Sequence, residues 1–175
     1  MNEAELSLES VIFRRLEKSD DRASFDCGVD ELNVFIKKYA RQNQRLSIGV
    51  TYIATYPEQN SILGYYTLSS GEVQFENMPQ DLLKRMPRYP VPVVRIGRLA
   101  RNLSVRGSGM GSLLLMDAFE RILRISGELG IHGIEVDAKD EFAKSFYESF
   151  GFQELRDDSL HLYISLKLVR NAFSG

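Results

Sequence analysis

Residues 105–112 read VRGSGMGS, which sets glycines at 107, 109 and 111 between an apolar run, VPVVRIGRLARNL (91–103), and an amphipathic one, MGSLLLMDAFERILRISGEL (110–129). Strand, glycine turn and helix in direct succession form a building unit of folds that mix helices with sheet. Such a turn lets the backbone approach a ligand closely and aims free N–H groups and the helix dipole at an anion.

The flanking periodicities extend this pattern over the chain. Val11–Leu16 reads as a short strand. Asp30 is placed to cap a helix in which Leu32, Phe35, Ile36, Tyr39 and Ala40 recur on one face. Val50–Tyr56 and Ile62–Ser69, joined by PEQN, read as a hairpin, and Pro79–Met86 as a short helix. Four of the five prolines fall between residues 79 and 92 and mark an irregular connection. Val91–Leu103 is the next strand. Met110–Leu129 is a helix carrying Leu115, Ala118, Phe119 and Ile122 on one face. Ile131–Ala138 is a strand, Glu141–Phe150 a helix stopped by Gly151, and Leu160–Leu168 a last strand. The order β-α-β-β-α-β-α-β-α-β predicts an α/β (α+β mixed) fold with a central mixed, twisted sheet flanked by helices, a single domain over residues 1–175.

Composition narrows the class. A chain of 175 residues, 43% hydrophobic and 26% charged, suits one domain with a substantial core. No apolar run approaches the roughly 18 residues of a spanning helix, so no membrane partner is expected. The opening MNEAELSLES is acidic and lacks the apolar stretch of a secretory signal. Cys27 is the only cysteine, which points to a reducing cytoplasm, and it reads as a small buried or half-buried residue and not a nucleophile. With His132 and His161 the only histidines, no zinc motif is formed and no metal is expected. The net charge of −2 hides an uneven distribution. Lys37, Lys38, Arg41 and Arg45 stand free of acids, and Lys84, Arg85, Arg88, Arg95, Arg98, Arg101 and Arg106 face Asp81 alone. Basic patches of this kind suit a polyanion.

Three phosphate-binding patterns compete for the glycine stretch. A nucleotide P-loop requires lysine and a hydroxyl after the last glycine, and Gly111 is followed by Ser112 and Leu113. A dinucleotide fingerprint wants glycine at 112, where serine stands. The third, Arg/Gln-x-x-Gly-x-Gly/Ala opening a helix, is met by Arg106-Gly107-Ser108-Gly109-Met110-Gly111. With VVRIGRLAR before it and DAKDEFAKSFYESFGF after it, the chain resembles the GNAT superfamily of acyl-CoA N-acyltransferases. FDCGVDELNVFIKKYARQNQ, ILGYYTLSS and PRYPVPVVRIGRLA narrow the resemblance to the GNAT-type toxins of bacterial type II toxin–antitoxin modules, most strongly over residues 11–168.

The resemblance implies acetyl-CoA as co-substrate. Arg106, Gly107, Ser108, Gly109, Met110, Gly111 and Ser112 would hold its pyrophosphate. Amides near Leu99 and Ala100 would stabilise the oxyanion, and Tyr147 would act as general acid toward the departing thiolate. On spacing alone Tyr147 reads rather as a packed aromatic with its hydroxyl at the surface. Glu135 and Asp137 are the available candidates for a base, and strand carboxylates of this kind are more often structural. Members of the toxin group acetylate the α-amino group of aminoacyl-tRNA. Such an amine titrates near 8 or below, against about 10.4 for a lysine, and so needs little help from a base. The resemblance further implies tRNA contacts through the basic patches, a ribbon–helix–helix antitoxin as partner, and a homodimer. A GNAT acting on a small amine, a peptide or a protein amino group is the alternative activity. Of Tyr65 and Tyr66, adjacent on a strand, one is expected in the core and one at the surface.

Overall fold

Phe13, Ile53 and Tyr65 occupy the first three strands of the sheet, which grows outward from the tight connection predicted at PEQN. In the computed structural model, which describes residues 7–173, β2 (Val50–Thr55) and β3 (Gly64–Val73) form the antiparallel hairpin, with Glu58 in the turn at φ 62°. β1 (Ile12–Arg15) pairs with β2 in the register Phe13↔Ala54. β4 (Val91–Arg101), β5 (Gly133–Asp137), the two-residue β6 (Gln153–Glu154) and β7 (His161–Ser165) complete a seven-stranded mixed sheet in the order β1-β2-β3-β4-β5-β7-β6. β4 and β5 run parallel; β7 is antiparallel to both β5 and β6. Most of the acidic opening segment lies outside the described residues. No helix among those described is long and apolar enough to cross a membrane.

The chain divides into two compact units, the first reaching Leu68 and resuming over Arg98–Ala118, the second comprising Ser69–Gly97 and the chain from Phe119 onward. In the first unit α1 (Asp30–Val34) runs into a π-turn, Phe35–Tyr39, and then α2 (Ala40–Arg45). The N-cap is Val29, without a side-chain bond, so Asp30 is not the predicted cap; it stands in the first turn, where a carboxylate still favours the helix dipole. The π-turn alters the expected apolar stripe. Phe35, Ile36 and Ala40 are buried, but the wider turn leaves Tyr39 half exposed. Gln44, one turn on, faces inward and ties the helix to the sheet, donating to Leu16 O (3.2 Å) and accepting from Thr51 N (2.9 Å).

Tyr65 and Tyr66 are both fully buried, which overturns the expected split between core and surface. The start of β3 is covered on both faces, so alternation along it does not separate inside from outside. Each phenol finds an acceptor: Tyr65 donates to Leu32 O (2.7 Å) and Tyr66 to Asp117 Oδ2 (2.5 Å) on α4 (Met110–Ile125). Gly64 carries a close approach, since a Cβ there would lie 2.8 Å from Leu114 and 3.0 Å from Ala100 O.

In the second unit Val73, Met78, Val91, Val93, Leu155 and Tyr163 form a core cluster. The helix predicted over 79–86 is shorter, α3 (Gln80–Leu83), and α5 spans Glu141–Glu148, with Gly151 at φ 105° closing the turn that follows. The strand predicted over 160–168 ends at Ser165, and α6 (Leu166–Phe173) follows. Ser165 Oγ accepts from Leu168 N (3.2 Å) and opens that helix, burying Leu166 and Val169 at helical spacing.

Candidate active site

The end of β4 is tied down from two directions within the first unit. Asn102 N donates to Leu63 O (2.8 Å), its Nδ2 to Ile62 O (3.3 Å), and Leu103 N to Asp26 O (2.8 Å). Asn102 Oδ1 accepts from Ser104 N (3.1 Å) and caps a 3-10 turn, Leu103–Val105, that delivers the chain into the glycine loop. Gly107 and Gly109 take φ of 76° and 92°, a region costly for any residue with a Cβ. A Cβ at either position would meet nothing within 4 Å. The glycines therefore answer a backbone requirement, and the outer face of the loop is open.

The open face carries donors. Among the described residues the amides of Gly107, Gly109, Met110, Gly111 and Ser112 donate to no protein acceptor, while Ser108 N is engaged by Val105 O (3.2 Å). Met110 is fully buried and anchors the helix start; Arg106 is exposed beside the loop and Ser112 half-buried. Free first-turn amides, a helix dipole and a guanidinium make an anion site. Upstream, the ladder to β5 runs from Val93↔Gly133 to Ile96↔Val136, and β4 continues past it to Arg101. Half-buried Leu99 and buried Ala100, the expected oxyanion donors, lie on that continuation.

Tyr147, in the second unit, belongs to α5, whose N-cap Asp140 accepts from Ala143 N (2.8 Å). Its ring packs edge-on against Phe146 (centroids 5.3 Å) and Phe152 (5.4 Å). Burial pushes its phenol pKa up to about 12. The other buried tyrosines are all hydrogen-bonded: Tyr65 to Leu32, Tyr66 to Asp117, and Tyr163 against His132 Nδ1. Among the described residues the Tyr147 hydroxyl has no hydrogen-bond partner. This distinguishes it from a structural tyrosine.

Glu135 and Asp137 are already engaged. Glu135 is buried, with Oε2 2.6 Å from His161 Nε2 and Oε1 3.6 Å from Arg95 Nη1. His161 Nδ1 lies 2.9 Å from Asp157 Oδ2, and Arg95 Nη2 also binds Asp137. With carboxylates on both ring nitrogens, His161 holds its proton more tightly than a free imidazole; desolvation opposes the charge, but the Asp157 and Glu135 hydrogen bonds outweigh it and raise the pKa. Gly71 accommodates the buried carboxylate, since a Cβ there would meet Glu135 Oε1 at 2.7 Å. Arg95 is thereby removed from the expected basic patch. Lys37, Lys38 and Arg45 in the first unit and Lys84, Arg85 and Arg88 in the second are exposed; Arg41 and Arg101 are half-buried. Cys27 is half-buried, its Sγ 3.6 Å from Val29 O. Among the described residues no three His, Cys, Asp or Glu converge as metal ligands.

No protein-family model matches the chain. The chain is similar to the tRNA-acetylating toxin of Mycobacterium tuberculosis, 32% identical over 157 residues, 90% of this chain and 93% of that protein. Among solved structures it is similar to a tyrosine-to-phenylalanine mutant of KacT, with TM-score 0.88, 30% identity and coverage of 94% of this chain and 99% of that one. It is equally similar to AtaT complexed with acetyl-methionyl-tRNAfMet, with TM-score 0.87, 30% identity and coverage of 93% and 99%. Other similar structures are AtaTR bound with acetyl-CoA, a tyrosine-to-phenylalanine mutant of AtaT bound to the C-terminus of the antitoxin AtaR, and a KacTA–DNA complex. These structures share the fold of this chain over nearly their whole length. The chain belongs to the family of GNAT-type tRNA-acetylating toxins.

Proposed function

We propose that this protein transfers the acetyl group of acetyl-CoA to the α-amino group of an aminoacyl-tRNA, blocking the charged tRNA for translation. The observation that carries the reading is the open glycine loop with its unpaired amides, on a chain similar to AtaT in complex with acetyl-methionyl-tRNAfMet.

Each residue has a role in this reading. Arg106 and the amides of Gly107, Gly109, Met110 and Gly111 hold the pyrophosphate, with Ser112 adding its hydroxyl; Ser108 shapes the turn. Acetyl-CoA supplies an activated acyl carbon as a thioester. The neutral amine attacks that carbon, its oxygen gathers negative charge under the amides of Leu99 and Ala100, and the C–S bond breaks as the amide forms. The amine's surplus proton leaves to water. Tyr147 donates a hydrogen bond to the departing sulfur. With its pKa near 12 and a thiol near 8.5, complete transfer of the phenol proton is uphill by about 5 kcal/mol. Stabilisation of the nascent thiolate by the O–H is therefore its main contribution. That KacT and AtaT have both been solved as tyrosine-to-phenylalanine mutants, the change that removes only a phenol hydroxyl, supports a role of this type.

In the same reading Lys37, Lys38, Arg41, Arg45, Lys84, Arg85 and Arg88 contribute tRNA phosphate contacts. The protein acts in the cytoplasm as a homodimer and is held inactive by a ribbon–helix–helix antitoxin, a partnership supported by the AtaT complex with AtaR.

The test is transfer of labelled acetyl from acetyl-CoA to bulk tRNA, charged against deacylated. Label on charged tRNA alone, strongly reduced in Tyr147→Phe, is expected. Label on neither, from protein that still binds acetyl-CoA, would send the acceptor assignment to small amines and peptides.

A further inference from the structure

Arg98 is an exposed cation on the β4 continuation, immediately before Leu99 and Ala100. Its Cζ lies 3.7 Å above the centre of the Phe35 ring. Phe35 in turn stacks on Tyr65 (centroids 6.1 Å, 25°), and Phe25 meets Tyr65 edge-on (5.4 Å). Tyr65 is locked by its bond to Leu32 O. The guanidinium therefore rests on a rigid aromatic column. Among the described residues no carboxylate pairs with Arg98. Arg14 and Arg95 by contrast are held by Asp20 and by Asp137 with Glu135.

An arginine stacked on one ring face keeps the N–H edges of its planar fork free, and that fork matches a phosphate bidentately. The π-turn that presents Phe35 also carries Lys37 and Lys38, both exposed; the acid in electrostatic range of Lys37 is Asp26, itself accepting from Gly28 N and Asn33 Nδ2. π-turns occur often where a helix serves a site. Order along the chain decides which phosphate is meant. In the proposed reaction the co-substrate runs from the 106–111 loop back to the amides of Leu99 and Ala100. Arg98 lies one residue beyond them on β4, farther along the chain from the 106–111 loop.

Resting on the proposed acetyl transfer, we infer that Arg98, seated on Phe35, binds a backbone phosphate at the 3′ end of the aminoacyl-tRNA and positions its amine for attack. Arg98 is an acceptor-binding residue and takes no part in bond making.

The experiment compares wild type, Arg98→Gln and Arg98→Lys with two acceptors: bulk aminoacyl-tRNA, and aminoacyl-adenosine released from it by ribonuclease, which keeps ester and amine but has no phosphate. For Arg98→Gln the KM for aminoacyl-tRNA rises about tenfold and the salt slope of tRNA binding falls by about one. Arg98→Lys, keeping charge without the fork, falls between. KM for acetyl-CoA and turnover of aminoacyl-adenosine stay within about twofold of wild type. An unchanged KM for tRNA, or an equal loss on aminoacyl-adenosine, overturns the inference; an equal rise in KM for acetyl-CoA assigns the guanidinium to a phosphate of CoA instead. A wild type that binds acetyl-CoA yet labels neither acceptor overturns the transfer reading itself, a result distinct from all of these.

Discussion

The Tyr66 hydroxyl donates to Asp117 Oδ2 at 2.5 Å and thereby bolts the second turn of α4 to the start of β3. The first turn of that helix supplies the amides of the glycine loop, so this bond fixes the loop's position against the sheet. Tyr66→Phe should cost about 1–2 kcal/mol of stability, the usual effect of a lost bond to a charged acceptor. It should also raise the acetyl-CoA KM about threefold by loosening the loop. Urea unfolding and titration with acetyl-CoA read the two effects. A stability loss with unaltered affinity would show that the loop is positioned by other contacts.

Two glycines separate backbone need from packing need. Gly109→Ala meets open space and pays only for its left-handed φ, about 1 kcal/mol, while weakening the anion site. Gly133→Ala would drive its Cβ to 2.5 Å from Ile164 O and should cost about 3 kcal/mol with no selective effect on acetyl-CoA. Thermal melts with and without acetyl-CoA distinguish them: the ligand-induced stabilisation shrinks for the first variant and persists for the second.

Tyr147→Phe removes a hydroxyl that bonds to nothing among the described residues, so stability should move by less than about 0.5 kcal/mol. Turnover on aminoacyl-tRNA should fall about a hundredfold, within the range for a proton donor at a leaving group. With burial holding the phenol pKa near 12, the residue stays protonated throughout the working range and imposes no alkaline fall of kcat below pH 10. A variant with wild-type turnover would return Tyr147 to the status of a packed aromatic.

His161 gives a pH signature to stability. Its pKa is raised in the folded protein, so the stabilisation from its charged bonds is fully present below the ordinary value of 6.5 and fades as pH rises through the folded-state value. Relative to His161→Gln, wild type should hold its greatest urea-midpoint advantage below pH 6.5 and lose it progressively above. An advantage that grows with pH would mean that the ring is neutral between Glu135 and Asp157.

Much of this layout was legible in the residues. The glycine spacing at 107, 109 and 111, the buried face of α4 and the Gly151 stop each rest on local geometry, and local geometry is what a sequence displays. The misreadings came where tertiary context overrides it. The run from Leu160 to Leu168 alternates loosely, which conceals the change of period that begins with Ser165 as a cap. Tyr65 and Tyr66 look like alternate faces, but a strand covered on both sides has two inner faces. Arg95 and Arg98 look alike in a basic run. Only folding sets one against Glu135 and Asp137 and the other over Phe35, a residue distant in the chain with no pattern linking the two.

The π-turn at Phe35–Tyr39 amounts to a single residue inserted into an otherwise regular helix. Deleting one residue from it would restore ordinary winding and rotate everything beyond by about 100°. Gln44 would then swing away from Leu16 and Thr51, and Lys37 and Lys38 would be re-aimed relative to Phe35. A one-residue deletion is thus the change to which this helix is most sensitive, because it re-aims a whole face at once where a substitution alters one side chain.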